Sequence, residues 1–86
     1  MEDSEVLASY KRFGFRMIVY PTHIAITEGT LLPQDVTLFI GDVTGVEVTR
    51  LRKLAITTRD GRRRELNVGG KAKKMRDAIM RARANA

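Results

Sequence analysis

Apolar and polar residues alternate along most of the chain between positions 13 and 68. A period of two places successive side chains on opposite faces of a strand, so this pattern predicts β-structure. Gly, Pro and Asp interrupt the pattern several times and mark the turns between strands. We predict six strands, and their apolar positions are Phe13, Phe15, Met17 and Val19; Ile24 and Ile26; Val36, Leu38 and Ile40; Val46 and Val48; Leu54 and Ile56; Leu66 and Val68.

The turn between the last two predicted strands contains Asp60 and Gly61, a pair typical of a two-residue hairpin loop. A two-residue loop would place Leu54 and Leu66 on opposite faces of the hairpin. A three-residue loop over residues 59–61 pairs these two leucines and keeps a single apolar face. We therefore predict the longer loop, with Gly61 in the left-handed conformation that glycine adopts at little cost.

After Gly70 the apolar residues change to a helical period. Ala72, Met75, Ile79 and Ala82 follow a 3-4-3 spacing, which gathers them in one narrow stripe. Basic residues occupy most of the remaining positions. This pattern predicts an amphipathic C-terminal helix, starting near Lys71, whose apolar stripe covers part of the core.

The first twelve residues have a different character. This segment is acidic, and its apolar residues are few. Asp3 or Ser4 is suited to cap a short helix, in which Leu7 and Tyr10 would share one face. A mobile terminus is the other interpretation. We therefore divide the chain into an N-terminal segment, residues 1–12, and one domain over residues 13–86.

The order of elements, short antiparallel strands followed by one amphipathic helix, resembles the pleckstrin-homology-like (PH-like) superfold in its small bacterial form. The resemblance is carried by residues 16–20, 23–27, 36–40, 43–48, 54–61 and 65–68 and by the helix. It implies an α+β, mainly β, fold for residues 13–86. The expected architecture is a partly open antiparallel β-barrel, or two orthogonal sheets, of six to seven strands, capped by the C-terminal helix.

The resemblance also implies a binding module and not an enzyme. In phosphoinositide-binding members of the family, basic residues flank the loop between the first two strands. In the predicted strand order that loop is residues 20–23, where no basic cluster is present. The resemblance therefore implies no lipid site here, and an anionic membrane surface is the least favoured partner.

Composition agrees with a small non-catalytic domain. The chain has 86 residues, of which 43% are hydrophobic, and this size allows one modest core. The absence of Cys excludes disulfides, thiolate zinc sites and a cysteine nucleophile. His23, the single histidine, follows a Pro turn and is interpreted as an ordinary turn residue. We expect no catalytic residue, metal, cofactor or small-molecule substrate. Since no signal-peptide pattern or membrane-length apolar run is present, we also expect a cytoplasmic location.

The net charge of +6 is unevenly distributed. Residues 1–49 carry three basic and seven acidic residues, a net charge of −4, whereas residues 50–86 carry thirteen and three, a net charge of +10. Basic side chains bind phosphate by charge and, for Arg, by a bidentate fork. The candidate anion or nucleic-acid contacts are Arg62, Arg63, Arg64, Lys71, Lys73, Lys74 and Arg81.

Two classes of partner follow from these patterns. The first is a protein partner or a second copy of the chain, bound through an edge strand or through the apolar loop that contains Leu31 and Leu32. The alternative is a nucleic acid, bound by the last hairpin and the C-terminal helix. The aromatic residues all lie in the acidic half of the chain, which leaves the basic half without rings for base stacking.

Overall fold

The computed structural model describes residues 5–85. Within them the chain forms seven strands, one α-helix and two single-turn 3₁₀ helices. The elements, in chain order, are β1 Ala8–Arg12, β2 Phe15–Val19, β3 His23–Glu28, β4 Gln34–Phe39, the 3₁₀ turn Ile40–Asp42, β5 Val43–Val48, β6 Leu54–Thr58, β7 Arg63–Leu66, the 3₁₀ turn Gly69–Lys71 and α1 Ala72–Ala84.

The strands form two antiparallel sheets in sequential order. The larger sheet has the order β1-β2-β3-β4, and the smaller has the order β5-β6-β7. The two sheets are not closed into a barrel, and the 3₁₀ turn Ile40–Asp42 links them along the chain. The predicted mainly β fold with one C-terminal helix is therefore confirmed, in its partly open form.

The N-terminal segment supplies a strand that the pattern analysis did not predict. Ala8–Arg12 is strand β1, so a helix with Leu7 and Tyr10 on one face is wrong. The segment pairs with β2 from Ala8 opposite Val19 to Arg12 opposite Phe15, because pairing with a neighbouring strand supplies the backbone hydrogen bonds that an isolated helical turn would lack. Asp3 and Ser4, proposed as helix caps, lie outside the described residues.

The start of the next strand also differs from the prediction. Phe13 continues the apolar alternation of the sequence, yet it lies in the two-residue turn between β1 and β2. Gly14 follows it with a φ of +80°, a conformation that reverses the chain and that glycine adopts readily. The first hairpin loop of the molecule is therefore Phe13-Gly14, and not residues 20–23.

The core lies between the inner faces of the two sheets and under the helix. Met17, Val19 and Ile24 from the larger sheet are fully buried, as are Leu54 and Ile56 from the smaller one. Each such side chain contributes roughly 1.5–3 kcal/mol of transfer free energy. The strands of the larger sheet thus bury one face and leave the other in solvent, as the alternation predicts.

Helix α1 covers the core with the predicted stripe. Ala72, Met75, Ile79 and Ala82 are all buried, and Ala78 joins them. The helix packs mainly on β5, with further contacts to β1, β6 and the 3₁₀ turn Ile40–Asp42. No side chain caps its N-terminus. Burial of this stripe, and not capping, therefore holds the helix in place.

The last hairpin has the predicted three-residue loop. Leu54 pairs with Leu66 and Ile56 pairs with Arg64, so both leucines face the core. Gly61 has a φ of +88°, as the bulged turn requires. Leu66, but not Val68, belongs to β7, since the strand ends before the 3₁₀ turn at Gly69.

Candidate interaction surfaces

Leu31 and Leu32 lie in the loop between β3 and β4, and water reaches almost all of both side chains. Their exposed fractions are 92% and 85%. Phe13, in the turn between β1 and β2, is 91% exposed. These are the three most exposed large hydrophobic residues among those described, and all three belong to hairpin turns at one end of the larger sheet.

The two turns are joined by a backbone hydrogen bond. The amide of Gly29 donates to the carbonyl of Gly14 at 2.9 Å. A Cβ placed on Gly14 would lie 3.1 Å from Cγ2 of Thr30, which shows how closely the two loops approach. Phe13, Leu31 and Leu32 therefore project from one rigid end of the sheet, which we call the apolar tip.

Charged residues of both signs surround the apolar tip. Lys11 and Arg12 end β1, Arg16 lies near the start of β2, Glu28 ends β3, and Asp35 lies near the start of β4. The guanidinium carbon of Arg12 lies 4.8 Å from the centre of the Phe15 ring, a cation–π contact that holds this side chain against the sheet. Phe13 was not among the predicted contacts. Its position directly before a turn glycine is the signal in the sequence that indicates exposure.

The hairpin arginines Arg62, Arg63 and Arg64 do not form one basic surface. Arg62 is 3.5 Å from the carboxylate of Asp60. Arg63 spans the smaller sheet, with contacts of 3.2 Å to Glu47 and 3.4 Å to Glu65. Arg64 lies on the face of the smaller sheet opposite to that of Arg63, in register with Ile56, and is half-buried. Two of these three charges are thus partly neutralised within the molecule.

The basic residues of the helix point in several directions. Nζ of Lys71 donates to the carbonyl of Ser9 at 3.3 Å, which ties the start of the helix to β1. Lys73, Lys74 and Arg81 are exposed on α1. The start of α1 and the hairpin turn with Arg62 lie at opposite ends of β7, so the predicted basic residues are not brought together as one site.

A second basic group, which the pattern analysis missed, lies in the turn between β5 and β6. Arg50, Arg52 and Lys53 surround the exposed Leu51, and Arg52 has a φ of +62°. Because Val48 pairs with Leu54 and Leu54 pairs with Leu66, this turn lies at the same end of the smaller sheet as the segment leading to Lys71. We call Arg50, Arg52, Lys53 and Lys71 the basic end.

The segment between β7 and α1 contains the pair Gly69-Gly70 and is held by hydrogen bonds within the chain. The amide of Gly69 donates to Oδ1 of Asn67 at 3.1 Å, and the amide of Lys71 donates to the carbonyl of Val68 at 3.1 Å. These donors are therefore engaged within the chain. Residues Gly69–Lys71 form a short 3₁₀ turn that leads into α1.

The single histidine, His23, is engaged by its neighbours in the chain. Nδ1 of His23 lies 2.9 Å from the hydroxyl of Thr22, and its ring stacks on Tyr20 with centroids 4.6 Å apart. No group of three His, Cys, Asp or Glu side chains in this part of the chain could hold a metal ion. No α-helix formed by the same residues has the length and apolar character needed to cross a membrane.

One carboxylate of the described chain has a clearly displaced pKa. The hydroxyl of Thr58 donates to Oδ1 of Asp60 at 2.6 Å, and the amide of Arg62 donates to the same atom at 3.1 Å. These hydrogen bonds lower the pKa of Asp60 below its ordinary value. The same hydrogen bonds stabilise the β6–β7 turn.

Comparison of the chain with known protein families, curated proteins and solved structures finds no match.

Proposed function

We propose that this protein is a non-catalytic, cytoplasmic interaction module of PH-like type, which binds a protein partner or a second copy of itself through the apolar tip. The observation that carries the proposal is the exposure of Phe13, Leu31 and Leu32 on two joined turns. Exposed apolar residues that cluster in one place are typical of interaction sites, whereas scattered ones are common on any surface.

The tip is large enough to anchor a complex. Burying one Phe and two Leu side chains gains roughly 5–9 kcal/mol, at about 1.5–3 kcal/mol for each. Association costs about 4–15 kcal/mol in lost freedom of motion, so the tip needs further contacts around it. The charged residues Lys11, Arg16, Glu28 and Asp35 stand where the polar rim of a protein interface would form.

The mixed charge of that rim favours a protein over a bilayer. The corrected strand order places Lys11, Arg12 and Arg16 beside the first hairpin loop, so the earlier reason for setting a lipid surface aside no longer holds. Glu28 and Asp35 flank the second loop of the same tip, and an anionic bilayer would repel both. A protein surface can complement both signs at once.

Affinity capture from the native host tests this function. The wild-type chain is immobilised beside the variant Phe13→Ser/Leu31→Ser/Leu32→Ser and the control variant Leu51→Ser, in which an exposed leucine outside the tip is changed. We expect a protein that is retained by the wild type and the control, and lost with the triple variant. Equal capture by all three would contradict the proposal.

Two further measurements identify the kind of partner. The concentration dependence of the mass in light scattering, with and without the triple substitution, shows whether the tip binds a second copy. Sedimentation with vesicles that contain anionic lipid tests the bilayer directly. Binding to vesicles that is lost in the triple variant, with no captured protein, would replace the protein partner by a membrane.

The basic end supports nucleic-acid binding as a second candidate function. Arg50, Arg52 and Lys53 lie at the end of the smaller sheet from which the chain leads to Lys71, while Arg62 and Arg63 contact acidic side chains. Binding through phosphates would weaken steeply with salt. Duplex and single-stranded DNA are titrated at low and moderate salt against Arg50→Glu/Arg52→Glu/Lys53→Glu and against Arg62→Glu/Arg63→Glu/Arg64→Glu. This candidate requires binding at low salt that only the first variant abolishes.

A further inference from the structure

A cleft lies beside strand β4, at the end away from the apolar tip. Its volume is about 330 Å³. One wall is the C-terminal half of β4, with Thr37, Leu38 and Phe39, and the other is the β6–β7 turn, with Thr58, Arg59 and Asp60. Asp42 joins the two walls. The cleft follows from the open corner between the sheets, where β4 has no strand beside it.

The backbone of β4 offers hydrogen bonds toward this cleft. Ile40 donates to the carbonyl of Thr22, and alternate residues of an antiparallel strand point to opposite sides. The backbone amide and carbonyl groups of Val36 and Leu38 therefore point toward β3. Those of Asp35, Thr37 and Phe39 point away from it, toward the cleft. Within residues 5–85 no backbone hydrogen bond outside the β3–β4 ladder reaches these three residues.

The shape of the cleft selects a single extended chain as its occupant. Neighbouring strands lie about 4.8 Å apart, so a strand paired with β4 would lie between β4 and the β6–β7 turn. The edge of another sheet would bring its second strand into the place of Arg59 and Asp60. A single extended segment has no second strand. It would contact β4 on one side and the β6–β7 turn on the other.

The side chains of β4 and of the cleft define the composition of that segment. Val36 and Leu38 are half-buried on the inner face of β4, so alternate residues of the segment would be apolar and extend the core. Asp35 lies toward one end, and Asp42 and Asp60 lie at the other. Arg59, the basic residue of the lining, already contacts the carbonyl of Gly41 at 2.8 Å and Asp42 at 3.9 Å. Both oxygens of Asp60 already contact Thr58 or Arg62, whereas Oδ2 of Asp35 and Oδ2 of Asp42 have no partner among the described residues. Basic residues at the ends of the segment would contact these two oxygens.

We propose that the cleft beside β4 binds an extended polypeptide segment by strand addition, and that the segment alternates apolar residues and carries basic residues at its ends. This site goes beyond the proposed function of the apolar tip, because the residues that line the cleft lie at the other end of β4 and none of them belongs to the tip. Asp35 lies between the two sites. Main-chain hydrogen bonds supply affinity in such binding, and the alternate side chains supply specificity.

A phage-displayed library of random dodecapeptides, selected on the full chain, tests the proposal. Peptides that are enriched are synthesised, and their affinities are measured by fluorescence anisotropy. We expect alternating apolar residues with flanking Lys or Arg. Thr37→Pro removes the outward amide and should weaken binding about tenfold, while Thr37→Val keeps the amide and should bind normally. No enrichment, or equal binding to Thr37→Pro, would overturn the proposal.

Hydrogen exchange in the wild-type chain gives a second readout that needs no variant to fold. The bound peptide should slow exchange of the amides of Asp35, Thr37 and Phe39. Slowed exchange at the edge of β7 instead would place the peptide elsewhere and reject the site. Phe13→Ser/Leu31→Ser/Leu32→Ser should leave the peptide affinity unchanged, so failure at the cleft and failure at the apolar tip are distinguishable.

Discussion

The β6–β7 turn and the β3–β4 loop both reverse the chain, yet they expose different chemistry. The β6–β7 turn is polar, and Asp60 accepts hydrogen bonds from Thr58 and Arg62 across it. The β3–β4 loop presents Leu31 and Leu32 to solvent. Each contains a glycine with positive φ, +88° at Gly61 and +108° at Gly29.

The difference separates what folding requires from what it does not. The β6–β7 turn reverses the chain with a glycine in the left-handed region and with partners for its backbone groups. The β3–β4 loop meets the same need through Gly29, whose amide bonds to Gly14. Its two leucines contribute nothing to the core, so folding does not account for them. The proposed interaction at the apolar tip would account for them.

Of the substitutions in these two turns, one at Gly29 is expected to lower the free energy of unfolding most. An added Cβ would lie 2.9 Å from the carbonyl oxygen of Leu32, and the φ of +108° is strained for any other residue. We expect Gly29→Ala to lower the free energy of unfolding by about 2–3 kcal/mol, measured by urea denaturation. Gly41→Ala is the control, since no atom lies within 4 Å of its added Cβ. A loss below about 1 kcal/mol would show that this loop is not held as described.

A smaller effect is expected at Gly61, where the conformation is strained but the space is open. No atom lies within 4 Å of an added Cβ. Gly61→Ala should therefore lower the free energy of unfolding by about 1–2 kcal/mol, from backbone strain alone. Gly61→Asn should recover part of this loss, because Asn tolerates the left-handed region. Equal losses for Gly29→Ala and Gly61→Ala would remove the difference in packing between the two turns.

The polar character of the β6–β7 turn predicts a small dependence on pH. Hydrogen bonds from Thr58 and then Arg62 lower the pKa of Asp60 from its ordinary value of 3.8. A carboxyl group with a lowered pKa stabilises the folded state above the ordinary value, and this contribution is lost as pH falls through the lowered value. The difference in Tm between the wild type and Asp60→Asn should therefore favour the wild type at about pH 6 and shrink at about pH 2.

Thr58→Ala is the matched variant for this prediction, since it removes the first donor to Asp60 and leaves the charge in place. It should reduce the same pH-dependent difference. A difference in Tm that stays constant with pH would show that the carboxylate is not held in the charged state by the turn.

The smallest effect on stability is expected at the apolar tip. Phe13→Ser, Leu31→Ser and Leu32→Ser should each change the free energy of unfolding by no more than about 0.5 kcal/mol, because the side chains make little contact with the core. Urea denaturation of each variant checks this. A loss above about 1 kcal/mol at any of the three would assign that residue to the fold.

Much of the fold was predictable from local pattern and parity. The alternation around Met17, Ile26 and Ile56 indicated strands, the 3-4-3 stripe indicated α1, and the parity of Leu54 and Leu66 fixed the last turn. These predictions succeeded because core burial imposes a strict period on the residues that face it.

Strand β1 escaped prediction for a related reason. It lies at the edge of its sheet, and its end at Lys11 and Arg12 is exposed, so burial imposes little pattern on it. Phe13 is two residues before Phe15 and so continues the apolar alternation of β2, although it lies in the turn before that strand. The alternation alone therefore predicted that Phe13 belongs to the strand. The turn at Phe13-Gly14 becomes evident only from the pairing of residues 8–12 with β2, which places Arg12 opposite Phe15.

The candidate surfaces were predictable only in part. Leu31 and Leu32 were identified from the loop that contains them, but Phe13 joins them only when two hairpins are placed side by side. Similarly, the β5–β6 turn with Arg50 and the segment leading to Lys71 are distant in sequence, and the register of the smaller sheet places them at the same end of it. The cleft beside β4 requires both sheets, and no local pattern could indicate it.

Site-specific photo-crosslinking in the native host tests the central claim most directly. The photoreactive residue p-benzoyl-phenylalanine replaces Phe13 or Leu31 at the apolar tip, or Leu51 as an exposed position outside it. The account predicts crosslinks to a protein, either another protein or a second copy of this chain, from positions 13 and 31 and not from position 51. Crosslinks at position 51 alone, or no crosslinked protein from either tip position, would contradict it.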